Sequence, residues 1–249
     1  MLKYSGKTDT GKKRQNNEDS FRILELDQGA LLAVVCDGMG GAVGGEVASA
    51  SAIDAFCNYI SEHLPDLSDK NAAVGDMMRM ACATANSCVF QKSTDDTSLG
   101  GMGTTLVAAL LYGRTMYVAN IGDSRLYIIS DGTMTQLTRD HSWVQMWVDL
   151  GQMTPEEAAV SPSRNAILRA VGIDSKVESD LFTVDFTDSE NATILLCSDG
   201  LSDYLSQKDI LNIINDSTIA LDDRVSALID GANKGGGGDN ITAVLFEIE

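Results

Sequence analysis

Four aspartates in this chain stand beside glycine where apolar runs give out. Asp37 closes "ALLAVVCD" and precedes Gly38; Asp199 closes "TILLCSD" and precedes Gly200. Asp123 follows "YVANIG", and Asp239 stands between four glycines and "NITAVLFEI". Carboxylates placed this way suit hard divalent cations. Mg²⁺ and Mn²⁺ prefer carboxylate and carbonyl oxygens and keep several waters, so a few aspartates can hold two ions. A short Asp on a rigid strand end places its oxygens more accurately than a longer side chain on a loop. A neighbouring glycine lets backbone approach the ion and offer its carbonyl. Taken singly, "DGMGG", "GDSR" and "GGGGDN" are ordinary turn chemistry. Together, each after or before an apolar strand, they point to a cation site.

The overall charge fits that reading. Eighteen Lys and Arg against thirty-six Asp and Glu give a net charge of −18. Such a surface repels nucleic acid and anionic membranes, and would repel phosphorylated molecules too unless bound cations invert the local field.

The elements that must carry these residues are legible in the periodicity. "KYSGKT", "SFRILEL" and "ALLAVVCD" read as strands. Two helices follow, one with Ile53, Phe56, Cys57, Ile60 and Leu64 on a single stripe. The other carries Val74, Met77, Met78, Ala81, Cys82, Ala85, Cys88 and Val89. Strands return in "TTLVAALLY", "TMYVANIG", "SRLYIIS" and "TMTQLT", with hairpin turns at Gly113-Arg114 and Asp131-Gly132. A loop-rich insertion spans about 142–172, with Thr154 as N-cap ahead of Pro155. Strands "ESDLFTVDF" and "NATILLCSD" come next, then two helices, the second with Val225, Leu228, Ile229 and Ala232 on one face, and a last strand after the glycine loop. Strands joined by tight turns between helix pairs predict an α+β fold of antiparallel sheet with helices outside.

The 249 residues show no linker and no repeat, so a single domain over 1–249 is expected. "TTLVAALLYGRTMYVANIG" is broken by Arg114 and two glycines and cannot span a bilayer. The N-terminal stretch lacks the apolar core of a signal peptide, so a cytoplasmic protein is expected. Cys36, Cys57, Cys82, Cys88 and Cys197 are odd in number, contain no CxxC pair and read as reduced core residues. Cys36 and Cys197 adjoin motif aspartates, which leaves a catalytic thiol as the alternative.

These motifs resemble those of the metal-dependent protein serine/threonine phosphatases (PPM family, protein phosphatase type 2C), in their compact bacterial form. "GKKRQNNED", "VVCDGMGG", "MGTTLVAAL", "VANIGDSRLY", "LLCSDGL" and "GGGGDNITAVLFEI" occur in the family's order over nearly the whole chain. The resemblance implies a four-layer α-β-β-α sandwich, two antiparallel sheets packed face to face between helix pairs, with a dinuclear Mn²⁺ or Mg²⁺ centre at one end. It implies that Asp37 bridges the metals, with the Gly38 carbonyl on one and Asp199 and Asp239 on the other. Glu18 and Asp19 match an acidic pair acting directly or through water, and Arg14 matches the arginine that holds the substrate phosphate. Asp123 and Asp203, with Asp199, fit a weaker third metal site, and residues 142–172 correspond to a mobile flap.

The implied reaction is hydrolysis of phosphoserine and phosphothreonine by direct attack of a metal-bridging hydroxide. Implied partners are phosphorylated proteins, substrates of a bacterial-type Ser/Thr kinase, met by a monomer without nucleic acid or membrane. One departure stands out. The family position after "DGMGG" that usually carries a histidine, a candidate proton donor to the leaving group, is Ala42 here. His63 ends a helical stripe and reads as a surface or cap residue; His141 matches a position read as structural. Two rival functions share these residues: a two-metal hydrolase of phosphodiesters or small phosphate esters, and a phosphoprotein-binding module without chemistry.

Overall fold

In the computed structural model, the described residues are 3–64, 72–187 and 191–248; the side chains of 41–43 and 72 lie outside the description. Eleven strands and seven α-helices run through them. The strands are β1 (Lys3–Asp9), β2 (Asp19–Leu26), β3 (Ala30–Met39), β4 (Gly103–Thr104), β5 (Leu106–Tyr112), β6 (Thr115–Ile121), β7 (Arg125–Ser130), β8 (Thr133–Gln136), β9 (Asp180–Asp185), β10 (Ala192–Cys197) and β11 (Ile241–Ile248). The helices are α1 (Gly41–His63), α2 (Ala72–Asp95), α3 (Trp143–Asp149), α4 (Pro155–Ala159), α5 (Asp199–Ser202), α6 (Gln207–Ile214) and α7 (Leu221–Lys234).

One sheet has the order β1-β11-β10-β7-β8 and the other β2-β3-β5-β6-β9, with β4 added on β3; the pairings are antiparallel. Strand alternation makes the layers. On β3, Leu31, Ala33 and Val35 face the other sheet, where Ile194, Leu196, Val244 and Phe246 meet them. The intervening Leu32, Val34 and Cys36 face the stripes of α1 and α2, Phe56 and Ile60 among them. On β11 the odd–even split sends Ile241, Ala243 and Leu245 toward Val225, Leu228 and Ile229 of α7. Both faces of the central strands are therefore buried, which is why they read as near-continuous apolar runs. Full burial of each Val, Leu, Ile or Phe among them stabilises by about 1.5–3 kcal/mol. The four-layer α-β-β-α expectation holds.

Local expectations hold as well. Thr154 caps α4 in a full capping box with Glu157. Asp131 and Gly132 both adopt positive φ in the β7–β8 hairpin, the conformation that favours Asp-Gly there. Among the described residues, no helix is long and apolar enough to cross a membrane.

Candidate metal centre

The ends of β3, β10 and β11 and the turn before β7 meet at one edge of the sandwich. Around them lies a cleft of about 460 Å³ lined by Arg14, Glu18, Asp37, Asp123, Asp199 and Asp239, with Gly38 in its wall. Side chains separated by more than two hundred positions thus share one space. A second cavity, of about 570 Å³, shares Asp123, Asn165 and Asp199 with it and adds Asp203 and Arg164.

The aspartates arrive differently from the strand–turn picture. Asp37 does not end its strand, because β3 continues through Met39 by pairing Gly38 with Thr104 and Met39 with Gly103. The turn begins only at Gly40, which has φ +139°. Gly38 is required for another reason: a Cβ there would stand 2.1 Å from the Gly45 carbonyl oxygen and 2.6 Å from that of Glu18. Likewise Asp199 opens helix α5, not a turn, and a Cβ on Gly200 would lie 1.9 Å from the Asn240 oxygen. The glycines serve close packing of backbone on backbone. That packing presses α5 onto the 239–240 loop and so brings Asp199 to Asp239.

Hydrogen bonds then fix the segments that carry these carboxylates. The Asp37 N–H donates to Thr105 Oγ1 at 2.9 Å, and Thr105 Oγ1 meets Ser124 Oγ at 2.7 Å. Asp203 lies one turn along from Asp199, with its N–H on the Asp199 oxygen, and its carboxylate pairs with Arg164 at 3.3 Å. Asp239 Oδ1 accepts the Asn240 N–H, and its Oδ2 accepts from Arg14 Nη2 at 2.8 Å. Glu18 lines the cleft, while Asp19 is buried behind it and accepts from Ser198 Oγ and Thr242 Oγ1 at 2.7 and 2.6 Å. Asp19 thus serves by position, away from the cleft surface. Arg14 sits on the rim, half exposed and engaged with Asp239.

The electrostatics are those of crowded acid. Burial, then repulsion from neighbouring aspartates, holds Asp37 and Asp199 well above the ordinary carboxylate range. Burial raises Glu18, pushes Asp19 up to about 6, and, with Asp140 adding repulsion, pushes Asp123 up to about 7. Among the described residues, no three His, Cys, Asp or Glu side chains are already drawn to ligand spacing. The residues nonetheless fit divalent cations: Asp199 Oδ1, and Asp19 Oδ1 behind it, are buried without any hydrogen-bond partner, two of only four such side-chain atoms among the described residues. An unpaired buried carboxylate oxygen costs several kcal/mol unless something cationic meets it.

Several residues that hold this arrangement carry no sequence signal of their own. Asn240 accepts the Glu18 N–H and donates to the Thr10 and Asn16 carbonyls, stitching the Arg14 loop to the end of β11. Its one hint is its place beside Asp239. Thr105, Ser198 and Thr242 are hydroxyls in apolar runs whose partners lie far along the chain.

His63 is exposed, bonds the Tyr59 carbonyl and stacks on the Tyr59 ring. His141 is buried and structural, its Nδ1 accepting the Gly122 N–H at 3.1 Å. Ala42 falls in the first turn of α1, and its side chain lies outside the described residues. The cysteines are all free. Burial pushes the Cys197 thiol up to about 12 and holds the Cys36 thiol well above its ordinary range, so neither is a nucleophile at neutral pH.

Comparison with known proteins agrees with the geometry. The family model described as Protein phosphatase 2C matches residues 8–229. A serine/threonine phosphatase, stp, of Listeria welshimeri is 36% identical over 241 residues, covering 97% of this chain and 94% of its own. The solved Streptococcus agalactiae serine/threonine phosphatase superposes with a TM-score of 0.92 at 34% identity over the full length of both chains. The catalytic domain of the serine/threonine phosphatase PstP in complex with two manganese ions does so with a TM-score of 0.85 at 34% identity, over 100% of this chain and 99% of that one. With its strand order, its acid-lined cleft and these likenesses in accord, the chain belongs to the protein phosphatase 2C family.

Proposed function

We propose that the chain hydrolyses phosphoserine and phosphothreonine in proteins at this cleft. The observation that carries the reading is the meeting of Asp37, Asp123, Asp199 and Asp239 at one cleft, with a buried Asp199 oxygen left unpartnered. In this reading Asp37, Asp199, Asp239 and the Gly38 carbonyl hold two Mn²⁺ or Mg²⁺ ions. Asp123 and Asp203, with Asp199, hold a third. Two manganese ions in the related PstP domain support the metal type. Such ions, when bound, supply Lewis acidity and lower the pKa of water toward neutrality.

The chain's own residues do the rest. Arg14 uses one N–H on Asp239, which fixes its planar fork on the rim and leaves its remaining donors for phosphoryl oxygens. Thr105 holds the Asp37 backbone N–H, and Ser198 and Thr242 hold the Asp19 carboxylate behind the cleft, so the site needs little reorganisation during reaction. Glu18, held by the Gly45 N–H at the wall of the cleft, acts on the metal site directly or through water. With alanine at position 42, protonation of the leaving oxygen falls to water.

The further reading is a single domain whose residues 142–172 form a flap beside the cleft. We place it in the cytoplasm as a monomer that reverses the work of a Ser/Thr kinase. Turnover of a phosphothreonine peptide with Mn²⁺, its loss with chelator, and its loss in Asp37→Asn test the reading together. Activity that survives chelator overturns it.

A further inference from the structure

The two tryptophans of the chain stand together on α3, at positions 143 and 147, and both face outward. With Leu150 they follow the i, i+4, i+7 spacing of an apolar helix face, and the three are 44%, 37% and 60% exposed. On α7 the same kind of stripe is buried in the core. Val160, just beyond α4, is 80% exposed. An apolar face turned outward costs free energy unless something covers it, and such patches mark interaction sites. Trp143 and Trp147 border a pocket of about 290 Å³ with Val144, Met153 and Ala166, completed by two serine hydroxyls and no charged side chain. In a chain of net charge −18 that neutrality is itself selective. The volume suits one large side chain more than a whole small-molecule ligand.

This pocket shares a wall with the aspartate cleft. Asn165 and Ile167 line the cleft, while Ser163 and Ala166 line the tryptophan pocket. The wall is pinned from both ends: the Trp143 N–H bonds the Ala166 carbonyl at 2.9 Å, Ser142 bridges Ile167, and Arg164 pairs with Asp203. A polypeptide that leaves the cleft over this wall brings the residues beside its phosphorylated one to the tryptophan pocket.

We propose that the Trp143–Trp147 pocket is an apolar subsite for a leucine- or phenylalanine-sized side chain of the phosphoprotein, near its phosphorylated residue, and that it selects among substrates. The inference rests on the phosphatase reading above. Continuity with the cleft favours this occupant. A lipid surface is disfavoured because positions 143–160 contain three acids and no Lys or Arg.

The test uses phosphothreonine peptides in which a leucine is walked through each position of an otherwise serine–glycine sequence, with p-nitrophenyl phosphate as control. In the wild type, leucine at one favoured position raises kcat/KM about tenfold over serine, which is about 1.4 kcal/mol. In Trp147→Ala that preference shrinks to about twofold or less, Trp147→Phe keeps most of it, and aryl phosphate turnover is unchanged in both. Because the chain has no other tryptophan, the leucine peptide also shifts intrinsic emission to the blue, and the serine peptide does not. Peptide turnover with no leucine preference overturns the subsite alone. So does an equal loss on peptide and aryl phosphate in Trp147→Ala. A concentration-dependent dimer that dissociates in Trp147→Ala, with peptide preference intact, assigns the face to a second copy and overturns the proposal. Absence of turnover on every substrate overturns the phosphatase reading and this inference together.

Discussion

Asp19 and Asp37 are register partners across β2 and β3, yet only Asp37 reaches the cleft. Asp19 points its Oδ2 into the hydroxyls of Ser198 and Thr242, which lie on the other sheet's side of the site. It therefore ties the two sheets together beneath the metal-binding carboxylates and adds negative charge behind Asp37. Asp19→Ala leaves both hydroxyls without their acceptor and removes that charge. The expected loss is about 10- to 100-fold in Mn²⁺ affinity, as for other residues that orient metal ligands. Calorimetric titration with Mn²⁺ measures it; unchanged affinity makes Asp19 a structural residue only.

Removing Asp37 has opposite effects with and without metal. Burial and four neighbouring aspartates hold its carboxyl well above the ordinary range, so folding the metal-free site at neutral pH carries a cost, in repulsion or in proton uptake. Asp37→Asn relieves it, and the metal-free variant melts at a higher temperature than the metal-free wild type. Mn²⁺ at a hundred times its Kd stabilises the wild type by about 2.7 kcal/mol. In a chain of this size that raises Tm by roughly 5–10 °C. The variant loses this shift together with its activity. A variant that melts lower in both states contradicts the crowding argument.

Most of the fold could be read in the sequence because alternation and helical spacing report burial directly. Leu31, Ala33 and Val35 against Leu32, Val34 and Cys36 show a strand buried on both faces before any partner is known. The aspartates were legible for a different reason: carboxylates after apolar runs are rare enough to stand out. The reason for their glycines was not. "DG" looks the same whether glycine turns the chain or makes room for another backbone, and the Gly45 and Asn240 oxygens that decide it belong to other elements. Asn240, Thr105 and Ser198 stayed silent because a hydrogen-bond partner dozens of positions away leaves no local pattern.

Gly38→Ala sets a methyl 2.1 Å from one backbone oxygen and 2.6 Å from a second, on elements fixed from both sides, so no side-chain adjustment accommodates it. Overpacking of this kind typically costs about 1–3 kcal/mol, and more where only backbone can yield. Gly101→Ala is the control, since a Cβ there meets nothing within 4 Å and carries only the strain of its φ of +77°. Thermal unfolding and Mn²⁺ titration should show Gly38→Ala losing both stability and metal response, and Gly101→Ala keeping its metal response. If Gly38→Ala binds Mn²⁺ normally, the close approach does not set the site.

His141 gives the turn before Asp123 a pH dependence of known sign. Its Nδ1 accepts the Gly122 N–H, so the neutral ring carries its proton on Nε2, which faces Asp180 Oδ2 at 3.2 Å. Burial lowers its pKa from the ordinary 6.5; Arg169 lowers it further, while Asp180 and Asp140 oppose that shift. A histidine depressed in the fold contributes stability that is present above the unfolded value of 6.5 and lost as pH falls through the lower folded value. Once Nδ1 is protonated, two donors meet head on and the 122–123 turn loosens. His141→Asn keeps an acceptor near Nδ1 and cannot titrate. Its Tm should therefore fall less than that of the wild type between about pH 7 and about pH 5, the range across which an ordinary histidine titrates. Parallel melting curves for the two proteins over that range would exclude His141 as the titrating group.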